Sequence, residues 1–421
     1  MKKVISALLS AVVLTGCVAG LAACDKEEDP GADAKYRYSI TVWVGEDTSA
    51  LTKELIGKFN KENTLSIWFD ATVNEVTESK AAGDVIAKPG DAPEMFCFAQ
   101  DQIARLVSSN LLYTPASSFT LAMTKEHTET SVAAATVGTS VCAFPLTQDN
   151  GYFLYYDKSI ISEEQADSIE AIVKACEDNN RFFSFNLDEG WYSASFFYGA
   201  GAKSEWEVDN QGRFTKHDDT FNSEEGYLAA QGMQTVLKSK RYLANGKASD
   251  FNASTPAGAV ISGVWDYNTA KNALKENLGI AKLPTFTATG TNGEKVTKRL
   301  QSYMGCKLLG ISKTEGEKGA ALSFLAQYLT NKDAQLERFK AFGWGPTIKE
   351  LQDNAEVKSS AALNVLKETA TVAQGQYPAN WAAKMKTLSG TIKGAETDAV
   401  LKTALSTYES ELDELLTQIT A

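Results

Sequence analysis

Carboxylates and aromatic rings gather at a few points of this 421-residue chain, mostly just after runs that read as β-strands. Trp43 is followed by Glu46 and Asp47, and Phe98 by Asp101 and Gln102; Glu189 and Trp191 sit in a stretch dense in aromatics and glycine, and Trp265 stands close to a glycine. Ionised carboxylates make the stronger hydrogen bonds. A flat aromatic ring supplies a large contact area at small entropic cost. Together they suit a ligand with hydroxyl edges and a C–H face. The same groups permit two other chemistries. A glycosidase needs two carboxyl groups roughly 5–9.5 Å apart across the scissile bond, and Asp101, Asp149 and Glu189 are the available carboxylates. A polyamine would be held by carboxylates and cation–π contacts. Structural roles compete with all three. A Trp in apolar sequence is usually core, and Trp43 reads that way; loop carboxylates are usually just solvated. Only a position after a strand end lifts Asp101 and Glu189 above that background.

Other chemistries have little to draw on. With only His127 and His217, both expected at the surface, neither a Ser-His-Asp triad nor a His-rich metal site is favoured. Beyond the N-terminal segment four cysteines remain, Cys97, Cys142, Cys176 and Cys306. None has CxxC spacing, so they read as buried free thiols. No GxxxxGK[ST] loop occurs, so any energy coupling belongs to other subunits. No cofactor and no metal are expected. Residues 1–23 hold two lysines and no acid, which leaves 39 basic against 53 acidic residues and a charge of −14. Nucleic acid, which wants clustered positive charge, is excluded as a partner, and anionic lipid surfaces are disfavoured.

The elements that must position these residues follow from periodicity. Ser39–Val44, residues 67–73 and Glu94–Phe98 read as strands, alternating with helices after Thr48-Ser49 and over Gln102–Ser109. Such alternation means α/β with a largely parallel sheet. Further strands are expected over Gly151–Tyr156, Gly258–Ser262, Leu278–Leu283 and Gly305–Ile311, and helices over Ser168–Cys176 and Glu224–Lys238. Thr285–Thr297 reads as a hairpin turning at Asn292-Gly293. The last third is helical, with an apolar stripe at Leu401, Leu405, Tyr408, Leu412, Leu415 and Ile419.

The N-terminus carries an address. Lys2 and Lys3 precede an apolar run that ends in Leu21-Ala22-Ala23-Cys24, and acidic residues follow at once. This is the anatomy of a secretory signal. A Cys after Leu-Ala-Ala resembles a bacterial lipobox, and Cys24 is the expected lipid attachment site, with residues 24–38 as a tether. A second match lies at Leu14-Thr15-Gly16-Cys17. The protein is expected to be exported and held at the outer face of the cell membrane.

Several collinear segments then resemble the bacterial extracellular solute-binding proteins of sugar ABC transporters, the maltose/maltodextrin branch in particular. They include Ile40–Asp47, Pro93–Asp101, Phe144–Leu146 with Tyr155–Lys158, Phe185–Glu189, Ile261–Trp265, Ala281–Phe286 and Tyr303–Ile311. The resemblance implies a two-lobed periplasmic-binding-protein-like fold of type II with the ligand in the cleft. Lobe one would be 39–147 plus 299–344, and lobe two 148–298 plus 345–421. The crossings would lie near Leu146–Asp149, 297–301 and 343–346. It implies capture of an oligosaccharide, most simply maltodextrin, and delivery to permease subunits, by a monomer that is not an enzyme. By match, Glu46 or Asp47 would face the sugar; Phe98, Asp101 and Gln102 would form one wall, with Gln102 where many relatives carry Arg. Asp149 and Asn150 would stand where relatives often have Glu. Glu189, Trp191 and the stacking Trp265 would come from the second lobe, and Trp381, with Tyr377 and Asn380, from the C-terminal segment.

Overall fold

A computed structural model describes residues 31–314 and 316–420, so the secretory signal, both candidate lipid-bearing cysteines and the start of the tether lie outside the described residues. Ten strands build two five-stranded sheets. They are β1 (Tyr36–Val44), β2 (Ile67–Glu75), β3 (Met95–Ala99), β4 (Phe144–Thr147), β5 (Tyr152–Asp157), β6 (Phe182–Ser184), β7 (Tyr242–Leu243), β8 (Ala257–Gly263), β9 (Leu278–Ala281) and β10 (Lys307–Ile311). The first sheet runs β2-β1-β3-β10-β4 and the second β7-β6-β8-β5-β9. In each, the strand fourth in order is antiparallel to both neighbours. The remaining four are parallel, which matches the largely parallel sheet expected from the strand–helix alternation.

Each sheet has its own core. The first buries Val42, Phe96, Phe98, Phe144 and Leu309 against helices that include α1 (Ser49–Glu62) and α2 (Glu78–Ala87). The second packs Tyr152, Phe185, Phe197 and Ile261 with α3 (Gly190–Ala200) and α4 (Asp398–Thr420). Nine of eleven positions in α3 are buried, so it is a helix enclosed on all sides. The expected stripe on α4 faces this core at Leu401, Leu405, Tyr408, Leu412 and Leu415, while Ile419 is exposed at the frayed end.

Three backbone crossings join the lobes and hydrogen-bond to one another. Asn150 and Gly305 exchange two backbone bonds, at 3.0 and 3.1 Å, and Gln148 N–H donates to the Gly345 carbonyl at 2.8 Å. Two crossings sit later than the resemblance implied. Leu300 and Tyr303 belong to the second core while Cys306 belongs to the first, so the chain passes between lobes at 304–305 rather than 297–301. Thr347 is still bound to Gln335 and His127 of lobe one, and Val357 packs in lobe two. Core packing, not the end of the Thr285–Arg299 hairpin, fixes where the chain changes sides.

The four cysteines are free and buried. His127, expected at the surface, is 3% exposed. Its Nδ1 lies 2.8 Å from Thr347 Oγ1, and burial pushes its pKa down to about 4, so the ring is neutral and its polar edge is satisfied by a hydroxyl. His217 is half-buried, with Nε2 3.0 Å from Asp413 Oδ1.

Candidate functional site

The cleft lies where the carboxyl ends of the parallel strands of both sheets converge, the usual place for a ligand in an α/β sheet. From lobe one come the turns after β1 and β3, the start of α2 and the start of β10. From lobe two come the turns after β6 and β8 and the start of α3.

Trp265 occupies a single helical turn, Val264–Asp266, directly after β8. Asp266 fixes that turn by accepting from Ala248 N–H at 2.9 Å and Ser262 Oγ at 2.7 Å. The indole lies across the backbone of Gly263, where a Cβ would come within 2.1 Å of the six-membered ring. A side chain at 263 would therefore tip the ring off its seat. Trp191 is the second residue of α3, and its ring lies 6.0 Å from that of Trp265, tilted by 36°. Behind it Tyr303 stacks at 6.0 Å and 8°, and Tyr152 meets it edge-on at 4.7 Å. The hydroxyls of Tyr198, Tyr303 and Tyr377 close a ring of mutual hydrogen bonds at 2.9 to 3.0 Å. The aromatic wall is thus backed by a hydrogen-bonded frame and does not need the ligand to hold its shape. Glu189 stands at the N-cap position of α3 without a side-chain cap bond and is exposed.

In lobe one, Glu46 and Asp47 are exposed in the turn after β1. Asp47 takes φ +62°, a left-handed conformation that Asp tolerates better than most residues. Asp101 is half-buried, with Gln374 Nε2 donating to its Oδ1 at 3.1 Å. Burial drives its pKa up to about 6, against the pull of Arg105 one turn on. The turn is strapped from behind: Gln100 Nε2 donates to the Gln374 carbonyl at 2.7 Å, and Gln376 Nε2 to the Gln100 carbonyl at 2.9 Å.

Five expected ligand residues have other work here. Phe98 is fully buried beside Phe96, because β3 is covered on both faces. Gln102 is 6% exposed and its amide N–H donates to the Ser79 carbonyl at 3.1 Å, which anchors the start of α2. Asp149 is 2% exposed; its carboxylate accepts from Thr147 Oγ1 at 2.6 Å and from Gly345 N–H at 2.7 Å, so it ties two crossings together. Asn150 bonds Gln374 Oε1 at 2.9 Å in the same knot. Trp381 stacks on Tyr377 at 4.1 Å and 21° inside the second core.

Three residues at the cleft floor were not singled out from the sequence: Lys307, Glu78 and Trp344. Lys307 Nζ lies 3.0 Å from Glu78 Oε1, 4.4 Å from the Trp344 ring centre and 5.3 Å from that of Trp265. Burial alone would lower the lysine pKa, but the carboxylates of Glu78 and Asp149 outweigh it and hold the ammonium charged. A signal existed: Lys307 is the one charge inside the strand-like apolar run Gly305–Ile311. Among the described residues no group of His, Cys, Asp and Glu is arranged to hold a metal ion, and no helix is long and apolar enough to cross a membrane.

Residues 54–365 match the family model of the bacterial extracellular solute-binding proteins, three quarters of the chain. The chain belongs to this family. Residues 1–17 match the prokaryotic membrane lipoprotein lipid attachment site. This solute-binding protein is therefore an exported lipoprotein anchored at the membrane, and the matched segment ends on Cys17, with Cys24 outside it. No curated protein matches the chain. Among solved structures it is similar to one determined with acarbose, at 23% identity over 90% of this chain and 100% of that one, with a TM-score of 0.74. The GacH receptor of Streptomyces glaucescens, solved unliganded and with acarbose, is 17% identical over 91% and 99%, with a TM-score of 0.72. The maltodextrin-binding protein MalE1 of L. casei is 19% identical over 91% and 99%, with a TM-score of 0.71. At these identities the likeness establishes the two-lobed fold.

Proposed function

We propose that this lipoprotein captures an oligosaccharide, an α-1,4-glucan of the maltodextrin class, in the interlobe cleft and delivers it to the permease subunits of an ABC importer. The observation that carries the reading is the pair of indoles, Trp191 and Trp265, 6.0 Å apart in lobe two, with the charged Lys307 of lobe one 5.3 Å from the Trp265 ring; Asp101, Glu46 and Asp47 are the carboxylates we assign to the opposite side. Rings take the C–H faces of glucose units, and carboxylates take their hydroxyl edges. Structural neighbours solved with acarbose or described as maltodextrin-binding support the same class. The role is capture without bond cleavage, and lobe closure around the sugar is what the permease reads.

The test is thermal unfolding of the chain lacking residues 1–24 with maltose, maltotriose, longer maltodextrins, cellobiose, raffinose and spermidine. A ligand at 100 times its Kd adds about 2.7 kcal/mol of stability, so the α-glucans should raise Tm and the others should not. In Trp265→Ala the shift should vanish while the protein still folds. A shift with cellobiose or raffinose alone would discard the α-glucan. A spermidine shift that fades steeply with salt would replace the sugar by a polycation, and reducing sugar released from maltotriose would make the protein an enzyme.

A further inference from the structure

Lys307 opens β10 at the floor of the cleft and is 5% exposed. Its ammonium has three N–H donors, yet among the described residues its close polar contact is a single carboxylate, Glu78 Oε1 at 3.0 Å. Two indole rings also stand close to it, Trp344 of lobe one and Trp265 of lobe two, and the Asp149 carboxylate acts on it from further away. A buried ammonium with donors left over is costly unless something else accepts from it. Buried polar atoms without a hydrogen-bond partner include Glu78 Oε1 itself, Gln102 Oε1, on the residue that anchors the start of the Glu78 helix, and Trp191 Nε1 of lobe two.

Resting on the reading of the cleft as a sugar site, we propose that Lys307 is a specificity-determining ligand contact, donating to a hydroxyl of a neutral sugar unit that stacks on Trp265. A neutral hydroxyl fits better than an acidic sugar. Glu78 and Asp149 already place two carboxylates around this one ammonium, so no excess positive charge remains to attract an anion. A hydroxyl can also do what an anion cannot. It accepts from the ammonium and donates onward to an acceptor such as Gln102 Oε1. Because Lys307 belongs to lobe one and Trp265 to lobe two, a sugar there touches both lobes and rewards closure.

The experiment is titration of maltotriose, cellobiose and raffinose by intrinsic tryptophan fluorescence into wild type, Lys307→Met and Lys307→Met/Glu78→Gln. The double variant removes both charges, so no orphaned carboxylate compromises folding. The expected result is a tenfold to hundredfold loss of affinity in both variants for the sugar that binds wild type. With monodeoxy analogues of that sugar, one position should cost wild type at least tenfold and cost Lys307→Met nothing. Wild-type binding with unchanged affinity in a folded variant would overturn the role of Lys307 alone, leaving a structural ion pair. No binding of any of the three sugars to wild type would overturn this proposal together with the reading of the cleft.

Discussion

Asp101, which we propose to meet the sugar, also ties stability to pH. Its pKa of about 6 in the folded protein stands above the ordinary 3.8, so the folded state holds a proton that the unfolded state gives up. Stability from this group is complete below the ordinary value and is lost as pH rises from about 4 through 6. Asp101→Asn should remove that loss. At pH 7.5 the variant should unfold on the order of 1–3 kcal/mol harder than wild type, and the gap should close by pH 4, while sugar affinity falls because an ionised acceptor is gone. His127 works in the opposite sense, because its depressed pKa makes acid destabilising, and the difference between variant and wild type cancels it. Denaturant melts at several pH values decide; a gap that is the same at pH 4 and 7.5 would refute the assignment. The position of Asp101 was legible because it follows a strand end. The burial of neighbouring Phe98 was not, since a short strand covered on both faces carries no alternation to show which side chains point to the ligand. Lys307 was missed for a different reason. A lone charge in an apolar run reads as tolerated noise until its partners, Glu78 from another element and Trp265 from the other lobe, are placed beside it.

At the scale of elements, the crossings show how closely the lobes are coupled. Gly151 sits where a Cβ would come within 2.1 Å of the Tyr303 carbonyl oxygen, so the first and second crossings touch backbone to backbone. At Gly345 a Cβ would meet Asp149 Cβ at 3.0 Å and the Gln148 carbonyl oxygen at 3.2 Å, tight contacts that a shift of a few tenths of an ångström relieves. Gly151→Ala should therefore cost about 1–3 kcal/mol by overpacking and Gly345→Ala clearly less. Equal losses, read by denaturant unfolding, would mean that the crossings are looser than this. Most element types were readable from pattern: β1, α2-flanking β2 and β3, and the hairpin at Asn292-Gly293 lie where periodicity and turn chemistry put them. The second crossing was not, because the anchoring of Leu300 and Tyr303 in the second core is a tertiary fact that no local window contains. The same holds for Asp149: its sequence suits a ligand carboxylate, and only the approach of Gly345 from nearly two hundred residues away turns it into a brace.

At the scale of the molecule, capture is useful only if the protein stays at the membrane, and its own surface offers no help. The chain past the signal carries −14, which an anionic leaflet repels. Retention must then come from acyl chains, and stable anchoring takes two of them or one plus a basic patch. The matched attachment segment ends at Cys17, so we assign the lipid to Cys17 rather than to Cys24, which the apolar run before the acidic residues had favoured. Residues 18–35 then separate the anchor from β1, a span of at most about 65 Å when fully extended. In the native host, Cys17→Ser should release the protein from the membrane fraction into the soluble one, while Cys24→Ser should leave it bound. Metabolic labelling with a palmitate analogue should fail in the first variant and persist in the second. The reverse pattern would return the anchor to Cys24 and shorten the reach by seven residues; release of neither would mean that something other than acylation holds the protein in place.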